Sequence, residues 1–321
     1  MRKWLVVLLV LVLALSAVGC GRQEAPDNTG QNEIAGNNEQ LNEHHEQREQ
    51  VTYPLTVTDD LGREVTLTAK PARIVSLLPS LTEILFALEA GDRVVGVTNY
   101  CNYPEEAAQK DKVGDLFNLS AETILALQPD LVLTGRSQTL EEQLSFLENN
   151  GIPYIVVDPQ SLAEIETAIL QVAEMIDSME RGQKLVEQIQ NDRAAFDAKV
   201  AQIPQEERAR VFVMLDTEAL FTIGDGEYLS EMIEAAGGIN VAKDSGQGYF
   251  QISEETFFTL NPDVIIATFP MREEILAREA WRDIAAVKNG RVYDVDGDLV
   301  TRPGPRIVQG LEELYNVFTD R

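Results

Sequence analysis

SAETILALQPDLV at residues 120–132 and SEETFFTLNPDVI at residues 253–265 decide how this chain is built. Both stretches read Ser-x-Glu-Thr, a segment ending in Leu, one variable residue, Pro-Asp and an apolar strand. Each copy therefore indicates a short helix that leads through a proline turn into a buried strand. Because the same element recurs in the second half of the chain, we predict two structurally related halves.

Short apolar runs alternate with amphipathic helical segments around both copies. The predicted strands are RIVSLL, RVVGVT, DLVLTG and PYIVVD in the first half and RVFVML, DVIIAT and RVYDVD in the second. Helical segments such as TEILFALEA and TLEEQLSFLENN separate them. This alternation is typical of a parallel α/β sheet, so we predict an α/β lobe in each half.

The segment between the two halves has almost no strand signal. SMERGQKLVEQIQNDRAAFDAKVAQI carries a partial apolar stripe at helical spacing, formed by Leu185, Ile189, Phe196 and Val200. A helix there would reach roughly 35 Å and join the lobes stiffly, since no Gly/Ser hinge is present. We predict an N-terminal lobe at 51–176, an interlobe backbone helix at 177–208 and a C-terminal lobe at 209–321.

The N-terminus has the pattern of a bacterial lipoprotein signal. A basic MRK precedes an apolar run that is short for a membrane span and ends in AVGC. We predict a signal peptide and lipobox at 1–20, with Cys20 lipidated; Ala17 replaces the usual Leu. The alternative is a simple secretory signal, and either reading places the mature protein outside the cytoplasm. Residues 21–50 are acidic and poor in large apolar residues, which predicts a disordered tether.

Composition disfavours several classes of function. The formal net charge is −27, so the surface repels phosphate backbones and nucleic acid is an unsuitable partner. Both histidines, His44 and His45, lie in the tether, which disfavours a base-activated nucleophile and a zinc or manganese site in the folded region. Cys101 could be a lone nucleophile, but a buried or pocket-lining thiol is the preferred reading. We expect no catalysis and no resident metal or cofactor.

Several motifs in order resemble one family of transport proteins. RIVSLLPSLTEILFALEAGDRVVGVTNYCNYPEEA, SAETILALQPDLVL, GIPYIVVD, AGGINVA, ISEETFFTLNPDVII and RPGPRI are similar to substrate-binding proteins of ABC importers for vitamin B12 and ferric siderophores. The vitamin B12 branch matches best. The resemblance implies two Rossmann-like lobes joined by one long helix, with a ligand cleft between them. It also implies a monomer whose partners are a permease dimer with its ATPase subunits.

The resemblance gives the repeated Ser-x-Glu a role in docking. In this family one exposed glutamate on each lobe binds arginines of the permease, and Glu122 and Glu255 stand at the matching positions. The alternative reading is helix capping, in which Ser120 and Ser253 cap the two helices and acids suit the first turn. The two readings are compatible.

The DLVTRPGPRI stretch at 298–307 is expected to form a wall of the ligand site. By resemblance, Asp298 and Arg302 match residues that contact the amides of a corrin ring, while Arg306 is expected to be structural. Two prolines in the loop restrict its backbone, so little entropy would be lost on binding. The alternative is a rigid connector with no role in binding.

The remaining cleft candidates follow from their positions after predicted strands. They are Tyr100, Cys101, Phe117, Arg136 and Tyr249. The tryptophans that B12 binders can carry at two of these places are missing, and Trp281 is expected in a surface helix. The transported ligand is therefore predicted to be a corrinoid, with haem or a ferric siderophore as alternatives. A hydrolase or transferase on the same fold, and an adhesion or sensing module, are competing functions.

Overall fold

The N-terminal lobe of the computed structural model is a five-stranded parallel sheet flanked by helices; the structure describes residues 51–115, 118–136 and 138–320. A hairpin of β1 (Leu55–Thr58) and β2 (Glu64–Leu67) precedes it. The sheet strands are β3 (Ile74–Ser76), β4 (Val94–Val97), β5 (Asp111–Lys112), β6 (Leu131–Thr134) and β7 (Tyr154–Val156), in the order β5-β4-β3-β6-β7. The helices are α1 (Pro79–Ala87), α2 (Glu105–Ala108), α3 (Ala121–Ala126), α4 (Gln138–Asn149) and α5 (Leu162–Met175).

The C-terminal lobe repeats this plan with a smaller parallel sheet. Its strands are β8 (Arg210–Met214), β10 (Ile239–Asn240), β12 (Val264–Ala267) and β13 (Val292–Asp294), in the order β10-β8-β12-β13, beside a two-stranded antiparallel sheet of β9 (Phe221–Ile223) and β11 (Tyr249–Gln251). The helices are α7 (Tyr228–Ala235), α8 (Glu254–Leu260), α9 (Arg272–Ala277), α10 (Ala285–Lys288), α11 (Gly297–Val300) and α12 (Ile307–Thr319). Helix α6 (Met179–Val200) joins the lobes.

The two copies of the repeated motif fold alike. Ser120 and Ser253 cap helices α3 and α8, because each hydroxyl oxygen accepts a hydrogen bond from the threonine N–H three residues later, at 3.2 and 3.1 Å. The variable residue before each proline, Gln128 or Asn261, adopts the left-handed conformation, which ends the helix and turns the chain. The capping role of the serines is therefore confirmed.

In each copy, the aspartate of the Pro-Asp pair and an arginine at the start of the adjacent strand form hydrogen bonds with backbone groups. Asp130 accepts hydrogen bonds from the backbone N–H groups of residues 72 and 73, and Asp263 accepts one from the N–H of Arg210. In return, Arg73 donates to the carbonyl of residue 127, and Arg210 donates to that of residue 260. These contacts tie the end of each helix to the strand beside it, so the whole motif is a structural unit.

Each sheet has one core of its own and shares another. The outer face of the N-terminal sheet packs against α3 and α4 around Val75, Val132 and Leu147. Phe212, Phe257 and Trp281 lie in the corresponding core of the C-terminal sheet. A third and larger cluster contains buried residues of both lobes together with the apolar stripe of α6. The predicted fold class, two α/β lobes joined by a long helix, is confirmed.

Trp281 corrects one expectation from the sequence. It was expected on a surface helix, but its side chain is fully buried and lies 5.4 Å from the Phe257 ring, edge to face. Its polar edge is satisfied within the lobe, because the indole N–H donates to Glu254 of α8, and the Arg278 guanidinium lies over the face of its ring. Separately, no helix among the described residues is both long and apolar enough to cross a membrane.

Candidate ligand cleft

Two loops face each other where the lobes meet. The first follows β4 and contains Tyr100, Cys101 and Asn102; the second follows β13 and contains α11 and the RPGPR turn. Both come from the carboxyl ends of parallel strands, the edge where α/β sheets usually bind ligands. The topology therefore brings these two predicted site segments together.

A cavity of about 590 Å³ lies on the C-terminal side of this junction. Its wall combines apolar and polar side chains from β9, β11, α7 and the segments after β8, β12 and β13, among them Leu229, Tyr249, Phe269, Asp296 and Asp298. Phe269 and Tyr249 are 64% and 63% exposed, so large aromatic surfaces are available beside it. Such a mixture of apolar walls and a few polar groups is typical of small-molecule sites.

Asp298 lies between the cavity and the opposite lobe. Its carboxylate forms an ion pair with Arg302 at 2.5 Å and accepts a hydrogen bond from the Asn102 amide of the N-terminal lobe at 2.7 Å. The Asp298 side chain still has 43% of its surface exposed. It therefore keeps accessible surface for a ligand donor in addition to its two protein partners.

The Arg302 guanidinium is bound on several sides by the protein itself. It donates to Asn102 at 2.9 Å, to the carbonyl of Tyr100 at 3.2 Å and to Glu83 at 3.0 Å. Its side chain is only 10% exposed. Arg302 thus lies at the predicted place, but most of its donors point to acceptors of the chain. A direct contact with ligand remains a prediction.

Arg306 is bound across the lobes, which agrees with the structural role expected for it. Its guanidinium makes a two-pronged contact with Glu83 at 2.8 and 2.6 Å and stacks over the Tyr103 ring at 4.0 Å. Burial by itself would lower the pKa of Arg306, but the hydrogen bond and charge of Glu83 outweigh it and raise that pKa. The residue therefore stays charged and fixed.

Cys101 is buried within the N-terminal lobe. Its thiol lies within hydrogen-bonding distance of the hydroxyls of Thr82 and Thr98, at 3.1 and 3.2 Å, and the residue is 1% exposed. Its neighbour Tyr100 has 55% of its surface exposed. Of this pair, Tyr100 is the residue that can reach a ligand directly.

The other predicted cleft residues lie in different surroundings. Arg136 donates to the carbonyl of Asp60 at 2.7 Å and lies 4.0 Å from Asp158, at the end of β6. Partial desolvation and then the charge of Glu227 raise the pKa of Tyr249, so that phenol stays protonated near neutral pH. Phe117 lies outside the described residues, as do the lipidation candidate Cys20 and the tether.

Glu122 and Glu255 are both exposed at the first turns of α3 and α8, and neither lines the cavity. Within the described part of the chain, neither carboxylate has a side-chain partner, whereas the serine and threonine beside each are used in capping. Capping therefore explains the serine of the motif and leaves the glutamate available for another protein.

Two polar residues of the junction were missed by the sequence analysis. Glu83 lies in an apolar helix segment, and its neighbours gave no sign that two arginines some 220 residues away would bind it. Asn102 lies next to two predicted site residues but carries no charge. The only available signal was the single acid in the otherwise uncharged stretch SLTEILFAL at 80–88.

Comparison with known proteins decides the family. A model described as periplasmic binding protein matches residues 74–299, which include both parallel sheets and helix α6. The chain belongs to the periplasmic binding protein family. The resemblance inferred from its motifs is therefore confirmed.

Three relatives show how this periplasmic binding protein compares with others. The ABC transporter substrate-binding lipoprotein YvrC of Bacillus subtilis is 37% identical over 267 residues, covering 82% of this chain and 84% of YvrC. The solved vitamin B12-binding protein BtuF of Vibrio cholerae has 27% identity and a TM-score of 0.69, covering 78% and 97% of the two chains. The haem-binding protein RhuT of Roseiflexus has 30% identity and the same TM-score, covering 77% and 98%.

Proposed function

We propose that this protein is an extracytoplasmic substrate-binding component that delivers a corrinoid to an ABC importer and catalyses no reaction. The observation that carries the proposal is the cavity beside the Asp298–Arg302 pair, flanked by exposed aromatic rings. A corrinoid is a large, flat ligand with amides on its edge. Asp298 would accept hydrogen bonds from those amides, and Tyr100, Phe117 and Tyr249 would cover the apolar faces.

The experiment is calorimetry of the purified protein with cyanocobalamin, haemin and a ferric hydroxamate, after mass spectrometry of any retained ligand. We expect cyanocobalamin to bind, and Asp298→Asn to weaken it by about tenfold, because a charged acceptor is lost. Asp283→Asn, at an exposed carboxylate outside the cavity, is the matched control and should bind as the native protein does. Tight binding of a siderophore with no binding of cyanocobalamin would leave the importer role and refute the corrinoid.

Haem is the second candidate ligand. It is favoured by the similarity to RhuT and by the exposed phenols of Tyr100 and Tyr249, since tyrosine is a known iron ligand in haem proteins. A haemin titration followed by absorbance tests it. If haem iron is bound by Tyr249, Tyr249→Phe should change the spectrum of the bound haem, whereas a corrinoid protein should show only weak haemin binding in both forms.

The membrane attachment is a separate part of the proposal. A lipid on Cys20 would hold the protein at the membrane through the tether, as the lipobox pattern predicts. Replacing Cys20 by alanine in the expressed precursor should move the protein from the membrane fraction to the soluble extracytoplasmic fraction. Unchanged membrane association of that variant would count against the anchor.

A further inference from the structure

A four-residue ionic cluster spans the two lobes. The buried carboxylate of Glu83 on α1 contacts Arg302 at 3.0 Å and Arg306 at 2.6 and 2.8 Å. Arg302 also pairs with Asp298. Two guanidinium groups therefore meet two carboxylates, and the charges of the cluster cancel.

Glu83 is buried, and Arg302 and Arg306 are the residues that stabilise its negative charge. It lies within the buried stretch Ser80–Leu85 of α1, and its side chain is 2% exposed. A carboxylate in such surroundings is strongly unfavourable unless it is paired and hydrogen-bonded. Both partners come from the loop of the opposite lobe, so the pairing forms at the cleft wall and not within the core of one lobe.

We propose that Glu83 is a specificity-determining residue: it cancels the charge of the arginine pair, so the cleft wall is neutral and selects against anionic ligands. A ligand carboxylate that approached Arg302 would meet a guanidinium already shared by Glu83 and Asp298. A neutral amide needs only one hydrogen bond and no change in that pairing. This inference rests on the proposed function, because it takes the loop with Arg302 to be part of the ligand site.

Asn102 contacts two members of the cluster, Arg302 and Asp298, but carries no charge itself. Its amide oxygen accepts from Arg302 at 2.9 Å and its amide nitrogen donates to Asp298 at 2.7 Å. Its loss would loosen both groups and leave the charge balance unchanged. A variant of Asn102 can therefore serve as a control that disrupts contacts of the cluster without changing its charge.

The test compares cyanocobalamin, which is neutral overall, with haemin, which carries two carboxylates. In Glu83→Gln the cluster has one uncompensated positive charge, and we expect the affinity ratio to shift about tenfold towards haemin. Glu83→Asp keeps the charge and should keep the native ratio. Arg306→Gln makes the cluster negative, should shift the ratio away from haemin, and serves if Glu83→Gln does not fold.

Two controls make the result specific. Asn102→Ala should change both affinities by a similar factor, and Glu89→Gln, which breaks an ion pair with Arg181 outside the cluster, should change neither. Equal ratios in native protein, Glu83→Gln and Arg306→Gln would overturn the inference even if cyanocobalamin binds well.

A second measurement does not depend on the natural ligand. Inorganic phosphate, compared with chloride at equal ionic strength, should raise the melting temperature of Glu83→Gln more than that of the native protein or Asn102→Ala. If the native protein binds neither cyanocobalamin nor haemin but phosphate stabilises Glu83→Gln selectively, the corrinoid and haem assignments fail and the charge-setting role of Glu83 stands. If phosphate stabilises all three proteins equally, Glu83 does not set the charge of this wall.

Discussion

Asp59 illustrates how single residues stabilise this fold. Its carboxylate is fully buried at the turn between β1 and β2, where it binds the Arg63 guanidinium at 2.6 and 3.0 Å. It also accepts from the backbone N–H groups of Leu61, Arg63 and Val156, so the hairpin is tied to strand β7 of the main sheet. This carboxylate is therefore one of the contacts that anchor the hairpin to the main sheet.

The Asp59 interactions should make stability depend on pH. Burial alone would raise the pKa of Asp59, but the hydrogen bonds from Arg63 and the backbone outweigh it and hold the pKa below its usual value. Its contribution is therefore complete above the unfolded pKa of about 3.9 and is lost as the pH falls through the lower folded pKa. We expect Asp59→Asn to lower the free energy of unfolding at neutral pH by about 3 kcal/mol.

Denaturant unfolding of both proteins at several pH values checks this. The difference between native protein and Asp59→Asn should be largest near neutral pH and should shrink below about pH 4, as the native carboxylate becomes protonated. Asp283→Asn, at an exposed site, should track the native protein throughout. A difference that stays constant down to acidic pH would show that the Asp59 charge is not the stabilising feature.

For single residues, the sequence predicted where a side chain lies better than which residues it contacts. Asp298 and Arg302 were predicted from their place in a family pattern, and they do lie together at the junction of the lobes. Glu83 and Asn102 were missed, because their partners lie about 200 residues away and depend on how two lobes meet. A local pattern contains no information of that kind.

The repeated helices α3 and α8 are the elements best suited to bind a partner. At the same position of its first turn each presents an exposed glutamate, Glu122 or Glu255, while the neighbouring serine and threonine hydroxyls are engaged in the cap. If these glutamates bind permease arginines, changing both to lysine should abolish uptake and leave ligand affinity and folding intact. Single changes should have small effects, since one exposed ion pair contributes about 0–1 kcal/mol.

An uptake assay in cells, with calorimetry on the purified variants, makes this measurement. Changing Glu106 and Glu279 to lysine is a matched control, because one exposed acid is replaced on each lobe outside the repeated motif. Normal transport by the Glu122→Lys, Glu255→Lys double variant would refute docking through this pair.

Helix α6 meets α5 at a contact that needs glycine. A Cβ at Gly182 would lie 2.6 Å from the Cβ of Ala173, much closer than two carbons can pack. Alanine improves helix propensity by about 1 kcal/mol, but overpacking between two helices costs about 1–3 kcal/mol and should prevail. We expect Gly182→Ala to lower the melting temperature.

The complementary change should identify the cause. Adding Ala173→Gly to Gly182→Ala would remove the clash and recover much of the stability, whereas Gln183→Ala on the exposed side of α6 should be nearly neutral. Failure of the double variant to recover any stability would indicate that the close approach of the two helices is not what requires glycine.

The elements themselves were largely predictable where hydrophobic periodicity was strong. Every predicted strand of the two main sheets is present within its quoted run, and α6 lies inside the predicted linker. The two-stranded sheets β1–β2 and β9–β11 were not predicted, because their strands of three or four residues contain no continuous apolar run like those that mark the buried strands. Trp281 was wrongly expected at the surface, because the acceptor of its indole N–H, Glu254, lies on a different helix.

At the scale of the whole molecule, the large shared cluster distinguishes this protein from two domains on a flexible tether. It contains residues of α1, α5, α6, α7 and α12, so both sheets rest on one apolar layer. The backbone N–H of Leu162, in the N-terminal lobe, also donates a hydrogen bond of 2.9 Å to the carboxylate of Glu231, in the C-terminal lobe. Motion of one lobe relative to the other is therefore expected to be limited.

The same shared layer has a consequence for denaturation. Two domains with independent cores would melt in two steps, but neither lobe here can expose its inner face without disrupting the other. We expect scanning calorimetry to show one endotherm whose calorimetric and van't Hoff enthalpies agree, as for a single cooperative unit. Two separable endotherms, or a stable C-terminal lobe expressed alone, would contradict this. If a single endotherm is observed, the duplication visible in the sequence does not produce two separate unfolding transitions, because the two halves fold as one body.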